Sequence, residues 1–421
     1  MVQGRHPWAG TRGKASGACN RCQSGDFGGA AISPVAALPY ALAAMSPIAR
    51  FALLFAAQFA AVGILMPFFP AVLRDHGLTP GQISAVLATG SAVRLFASPT
   101  MGRAADRLGD ARLVLAAGAV LAACTTTGFA WGSGFGMLLV VAFFHALCMA
   151  PLAPLGDALA VAAARREGFD YGRARSAGSA SFILAAVVAG QVVAAFGTLA
   201  VVWLFSLCLL ATAACAVALP RSPHVARGGG GFRAPFRDPA FRVLLPLSGL
   251  VQGSHALYYA FGTIHWQAAG LSPGVIGLLW GEGVVAEVAL FLWGKPLVDR
   301  LGAPGMALLA AGCGVLRWAV TAETTWLPAL ALVQLLHAAT FGAMHLGAMR
   351  VLAGMPLHQA ATAQTLHASL GIGLAFGVLT FGSGQLYARA GGQAFWAMAL
   401  LCALALPLAL ALRGGLARRQ G

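Results

Sequence analysis

The stretch GRAADRLGDAR, from Gly102 to Arg112, and the stretch GKPLVDRLG, from Gly294 to Gly302, together decide the fold. Each sets a glycine ahead of Asp-Arg-Leu-Gly, with three residues between in the first copy (Gly102, Asp106, Arg107, Gly109) and four in the second (Gly294, Asp299, Arg300, Gly302). Each joins two long apolar segments, and the second copy follows the first by six such segments. A charged turn repeated at matching positions is the trace of two halves related by duplication. The residue types suit a gate. The leading glycine lets helices approach closely, Gly109 suits the positive φ of a tight turn, and Asp106 suits the positive end of a helix dipole. Arg107 and Arg112 are then expected to pair with a carboxylate on another helix, in a cluster that biases an equilibrium between conformations.

Working outward from these turns, apolar segments are predicted as helices at about 48–73, 80–102, 111–131, 134–161, 175–196 and 199–219. A second set follows at about 243–267, 274–294, 304–322, 326–351, 361–387 and 393–412. The chain is 59% hydrophobic and 9% charged, against about 25% charged in a soluble domain. It cannot cover itself with a polar surface, and each segment is long enough to cross a hydrocarbon layer of ~30 Å. The expected fold is an all-α membrane protein of twelve transmembrane helices in two pseudo-symmetric six-helix bundles, 45–219 and 243–421. A cytoplasmic linker, 220–242, carries the Gly228–Gly231 run. Residues 1–44 read as a disordered tail or an over-extended start, and a chain beginning at Met45 retains every predicted crossing.

The formal charge of +15 lies in short connections rather than on one folded face, which excludes nucleic acid as a partner. With the N-terminus cytoplasmic, Arg103, Arg107, Arg112, Arg165, Arg166, Arg173, Arg175, Lys295, Arg300, Arg350, Arg418 and Arg419 all fall inside, while Arg74 and Arg389 fall outside. That asymmetry predicts a bacterial-type inner membrane location with both termini cytoplasmic. Six of the eight cysteines sit in apolar segments, and Cys19 with Cys22 forms a lone CxxC, so no metal is expected. No nucleotide-binding loop, HExxH or GxSxG pattern is present in the sequence, which argues against an enzyme, a cofactor or an ATP-driven pump.

Charged groups at bilayer depth are costly and mark function. Arg94, Asp157, Glu282, Glu287 and Arg317 qualify. Glu282 and Arg317 each lie about 8 to 12 Å below the periplasmic end of neighbouring helices. They are predicted to pair and to couple proton to substrate, with a structural ion pair as the alternative. Glu287, five residues further, is about 140° off that face. Asp157 is expected to pair with Arg107 or Arg112, with proton carriage as the alternative. Arg94 is either an anion contact or a snorkelling side chain. Of His255, His265, His337 and His345, His337 near mid-membrane is the favoured relay. Tyr258, Tyr259 and Trp280 are expected to form an aromatic wall for a planar acid, whereas Trp266 also fits an interfacial anchor.

The repeated loop resembles the signature of the major facilitator superfamily, over roughly 48–412. It departs at Asp110, where that family usually has a basic residue, and in the second copy by one extra residue with Lys295 and Pro296. Within the superfamily, GILMPFFPAVL (Gly63–Leu73), YGRARSAGSASF (Tyr171–Phe182), SHALYYAFGTIHW (Ser254–Trp266), LWGEGVVAEVALF (Leu279–Phe291), LRW (Leu316–Trp318) and QLLHAATFGAMH (Gln334–His345) resemble the phenylpropionate permease group. That group is itself similar to lactose permease type symporters. The resemblance implies a monomeric secondary transporter taking up an aromatic carboxylic acid with a proton by alternating access. A proton symporter for a sugar or nucleoside is the first alternative, and a non-transporting sensor or scaffold the second. The fifth predicted helix lacks the GPxxGG pattern of drug antiporters, which argues against export.

Overall fold

In the membrane a backbone amide has no water to bond, so a spanning segment closes its hydrogen bonds on itself as a helix. The computed structural model describes residues 44–220 and 233–420. The expected tail with Cys19 and Cys22, and the Gly228–Gly231 run, lie outside the described residues. All the described secondary structure is helical. The first half comprises α1 (Pro47–Asp75), α2 (Pro80–Leu108), α3 (Ala111–Trp131), α4 (Phe135–Met149), α5 (Leu152–Glu167), α6 (Tyr171–Phe196) and α7 (Ala200–Val217). The second half comprises α8 (Pro239–Gly253), α9 (Ala256–Ala268), α10 (Pro273–Trp293), α11 (Lys295–Glu323), α12 (Leu327–Leu335), α13 (Met344–Ala353), α14 (Leu357–Leu366), α15 (Ala375–Ala390) and α16 (Phe395–Gln420).

Several predicted helices are broken, and the breaks have local causes. Proline at 151 has no amide hydrogen, so α4 ends at Met149 and α5 restarts at Leu152. Between α8 and α9 the side chains of Ser254 and His255 turn back onto the main chain. Ser254 Oγ donates to the Val251 carbonyl at 2.7 Å, and His255 Nδ1 lies 3.2 Å from the carbonyls of Val251 and Gln252. Wide π-helical turns cover Ala338–Ala343 between α12 and α13, and His367–Leu374 between α14 and α15. Such turns push side chains out of ordinary register and recur at functional sites. At the repeated loops, Gly109 and Gly302 take φ of 68° and 61°, values that suit glycine and bend the chain there.

Nine helices among the described residues are long and apolar enough to cross a membrane. Large apolar side chains such as Phe96, Trp131, Leu207 and Phe381 stand exposed around the outside, as a lipid-facing surface requires.

The core is divided. One apolar cluster takes residues from both halves, including Phe68, Phe129, Leu257 and Trp280. Two others each belong to one half: Phe51, Leu54 and Leu159 in the first, and Phe241, Leu244 and Leu412 in the second. Both of these lie at the end of the molecule that carries Pro47 and Arg419. The halves therefore meet at the opposite end, through the pairs α6 with α10, α2 with α15, and α1 with α9. There Arg74 Nη1 donates to Gln267 Oε1 at 2.9 Å and Ser84 Oγ donates to the Phe381 carbonyl at 3.1 Å. At Gly277 the backbones of α10 and α6 approach so closely that a Cβ would stand 2.5 Å from the Ala186 carbonyl oxygen. At the terminus-bearing end the apolar clusters each stay within one half.

Candidate functional site

The broken turn between α8 and α9, the π turn after α12 and the middle of α11 converge on Arg317. Its side chain is fully buried. Nη1 donates to Thr340 Oγ1 at 3.0 Å and lies 3.1 Å from His337 Nδ1 and 3.3 Å from His255 Nε2. Nη2 donates to Gln334 Oε1 at 2.7 Å. Gln334 in turn donates to Tyr258 Oη at 2.7 Å. The guanidinium also stacks 4.5 Å from the Trp318 ring centroid and 5.1 Å from that of Tyr258, a cation–π arrangement.

These contacts assign the histidine tautomers. Arg317 is a donor only, so His337 Nδ1 accepts and its hydrogen sits on Nε2, which faces Glu287 Oε2 at 3.5 Å. His255 Nδ1 faces two carbonyls and carries the hydrogen, leaving Nε2 to accept. Both imidazoles are therefore neutral here, and His337 links a buried cation to a carboxylate.

The predicted pairing of Glu282 with Arg317 is corrected. Trp280 and Glu287, seven residues apart, share the interior face of α10, whereas Glu282 shares a face with the exposed Leu278 and Val285. Arg317 takes neutral acceptors instead. Glu287 faces His337, with His345 and Arg175 within electrostatic reach.

The aromatic residues do come together. Tyr258 stacks on Trp280 at 4.6 Å and 24°, and Tyr259 on Trp280 at 5.7 Å and 25°. Phe376 of α15 extends this wall, 5.7 Å from Tyr259. Trp280 Nε1 donates to Thr263 Oγ1 at 3.2 Å, which fixes the indole. A cavity of about 30 Å³ lies against Tyr259, Trp280 and Arg317, closed from the other side by Met66 and Phe182 of the first half. It has room for one water molecule. An aromatic ring enters only when the halves separate there.

Asp157 is also corrected. It accepts from Tyr171 Oη at 2.9 Å and lies 3.7 Å from Arg175 Nε, away from the repeated loop. Arg175, four residues after Tyr171 on the same face of α6, stacks 3.7 Å over the Phe59 ring; the i, i+4 spacing within the YGRAR run is the sequence signal for this placement. Arg112 pairs at 2.8 Å with Asp110, the residue that departs from the family pattern, and donates to the Leu219 carbonyl at 2.7 Å. Its predicted partner on another helix is thus replaced by its own helix cap. The hydrogen bond from Arg112 holds Asp110 below the usual carboxylate range, with its charge adding to the effect against a smaller cost of burial. Arg107 and Arg300 are exposed, and the surroundings of Gly102 and Asp106 lie outside what is described. In the second loop Asp299 lies 3.1 Å from Arg350 and 2.5 Å from Lys295. Arg94 projects from the middle of α2, exposed.

Residues 48–398 match the MFS_1 like family. The chain is 34% identical over 352 residues to a probable 3-phenylpropionic acid transporter of Escherichia coli (strain K12), covering 82% of this chain and 92% of that protein. It is 28% identical over 265 residues to a maltose permease of Geobacillus stearothermophilus, covering 62% of this chain and 67% of that one. Among solved structures, a variant of the nucleoside transporter NupG superposes with a TM-score of 0.77 at 16% identity, over 88% of this chain and all of that one. A bacterial homologue of the human lysosomal transporter Spinster superposes at 0.66 and 13% identity, over 90% of this chain and 98% of that one.

Proposed function

The chain belongs to the MFS_1 like family and to the phenylpropionate permease group of major facilitator transporters, and from that premise we propose that it takes up a small aromatic carboxylic acid together with a proton. The observation that carries this reading is the line from Arg317 through His337 to Glu287, beside a wall of stacked aromatic rings. Tyr258, Tyr259 and Trp280 offer a flat apolar surface to a ring. Arg317 supplies a positive potential that no carboxylate in direct contact cancels. An anion arriving in that potential offsets part of it, and a proton on Glu287 restores the charge balance. The loaded carrier then reorients without net charge in its site, and the empty carrier returns after Glu287 loses the proton.

In this reading the fold makes twelve crossings in two pseudo-symmetric bundles, 45–219 and 243–421, around the 220–242 linker. Both termini are cytoplasmic in a bacterial-type inner membrane, and one copy suffices. The structure then faces inward, since its halves part at the terminus-bearing end. The loops with Gly102, Asp106, Arg107, Gly109 and Arg112, and with Asp299 and Arg300, set the balance between the two faces, so Asp106→Asn lowers rate more than binding.

The test is uptake of 3-phenylpropionate by the purified protein in proteoliposomes under an imposed inward proton gradient. The expected result is accumulation by the natural protein, lost in Glu287→Gln while exchange of acid across the membrane continues. Accumulation by Glu287→Gln, with loss in Glu282→Gln, would return the coupling to Glu282. The maltose permease relative supports a second reading, a sugar symporter, which proton-driven maltose uptake without acid uptake would establish.

A further inference from the structure

Arg94 is the charge that the coupling line leaves unused. Three rows of contacts fix its direction on α2. Ser84 and Ser91 face α15, where Ser91 meets Gly377, and Leu95 meets Gly373 of the π turn before it. Val93 and Ala97 pack on Ala146 and Leu147 of α4. Phe96, 75% exposed, faces lipid. Arg94 lies about midway between the first two rows and about 160° from Phe96, at 100° per residue. It therefore points into the space between the halves.

Two observations mark that space as a ligand site. The Arg94 side chain is exposed on the face of α2 that these contacts turn between the halves, so it lines an interior opening. Among the described residues it makes no hydrogen bond and no ion pair. His145 lies within electrostatic reach, but its Nδ1 faces the hydroxyls of Thr125 and Thr126 and it supplies no negative charge. Arg94 is thus a guanidinium in the middle of α2 with no counter-charge among the described residues. Arg317 presents the opposite case, with no exposed surface and both terminal nitrogens already bonded to neutral acceptors.

The aromatic wall extends through α15 toward the turn of α2 that carries Arg94. Phe376 precedes Gly377, which touches Ser91, and Arg94 is three residues, about 4.5 Å along the axis, beyond Ser91. We propose that Arg94 is the anion handhold of the transporter, binding the carboxylate of an aromatic acid whose ring lies on Phe376 and Tyr259, while Arg317 acts on it through space without touching it. This rests on the aromatic-acid reading above and adds which cation and which half of the molecule hold the carboxylate. It also shapes the ligand: one carboxylate, set off from a planar ring by a short spacer.

The test compares binding of 3-phenylpropionate with that of its neutral amide, by calorimetry on the purified full-length protein. The natural protein is expected to prefer the acid by roughly 10- to 100-fold, the worth of a hydrogen bond to a charged group. Arg94→Gln is expected to erase that preference while amide affinity changes by less than about threefold, within the scatter of a neutral contact. Arg94→Lys is expected to restore part of it. An acid preference that survives Arg94→Gln overturns the handhold and leaves the aromatic-acid reading standing. Loss of amide binding in both variants makes Arg94 a structural residue and overturns it too. A natural protein that binds acid and amide alike shows that the aromatic-acid reading has failed, and the handhold falls with it.

Discussion

The two halves of the molecule bury different things. The second half encloses Arg317, His255, His337, Gln334 and Thr340, each almost wholly out of contact with solvent, in one connected network. In the first half the charged groups Arg94, Asp157 and Arg175 stand at the edge of an open interior. Asp157 and Arg175 retain 45% and 30% side-chain exposure, enough for water to compete with their 3.7 Å pair. Both terminal nitrogens of Arg317 are bonded and only its Nε lacks a partner; a polar network so nearly satisfied in a low-dielectric interior is rigid, and breaking it is costly. Exposed pairs are weak and change partners readily. The difference assigns fixed geometry to the second half and exchangeable contacts to the first.

The sharpest way to break this comparison is to remove one cation from each half. Arg317→Ala leaves two histidines, a glutamine and a threonine without their common donor, and is expected to cost about 3 to 5 kcal/mol. Arg175→Ala is expected to cost about 0 to 1 kcal/mol. Thermal melts of both variants in detergent check this, and equal losses would mean that the halves do not differ in rigidity.

A smaller effect is expected where the halves touch. Gly277→Val places methyl groups against the Ala186 carbonyl, which the present packing does not admit. Overpacking of that kind costs about 1 to 3 kcal/mol, here charged to one conformation, so the closed end should open. Labelling of a cysteine introduced at Gln267 should rise by tenfold or more if the cost reaches about 1.4 kcal/mol. Unchanged labelling would show that α6 and α10 give way without parting.

The smallest effect is expected at the clasp that ties the start of α8 to the chain's end. Asp238 caps α8 through the Phe241 amide at 2.8 Å and pairs with Arg419 at 2.6 Å. Burial alone would raise its pKa, but the Arg419 hydrogen bond, the Phe241 amide and the Arg419 charge together hold it below the usual value. A depressed carboxylate contributes stability that is complete above its unfolded pKa, near 4, and lost as pH falls through the lower folded value. Asp238→Asn keeps a good helix cap but loses the Arg419 ion pair, and should therefore be less stable than the natural protein at neutral pH by about 1 kcal/mol. The gap should close as pH drops below about 4. A gap that persists at acid pH would mean that the side chain acts there without its charge.

Much of the architecture was legible in the sequence because lipid imposes a strong and simple condition. Long apolar segments, short charged turns and a repeated Asp-Arg-Leu-Gly sufficed for an all-helical membrane transporter of the family to which the chain belongs. Breaks at Ser254 and within 338–343 were not legible, since no proline or glycine run marks the moment at which a side chain replaces a helical hydrogen bond. The site was half legible. Arg317, Tyr258, Tyr259, Trp280, His337 and Glu287 carry residue types whose presence at bilayer depth is itself a signal. Their partners depend on helix rotation and on neighbours far away in the chain: Glu282 and Glu287 are equally acidic and both lie within one apolar helix, and packing alone turns one outward and the other toward His337. Composition and periodicity determine which segments enter the membrane, because transfer free energy sums over a segment regardless of its neighbours. Which charges meet, and which is left facing an open interior as Arg94 is, belongs to the tertiary structure, because a contact needs two surfaces and a sequence specifies them one at a time.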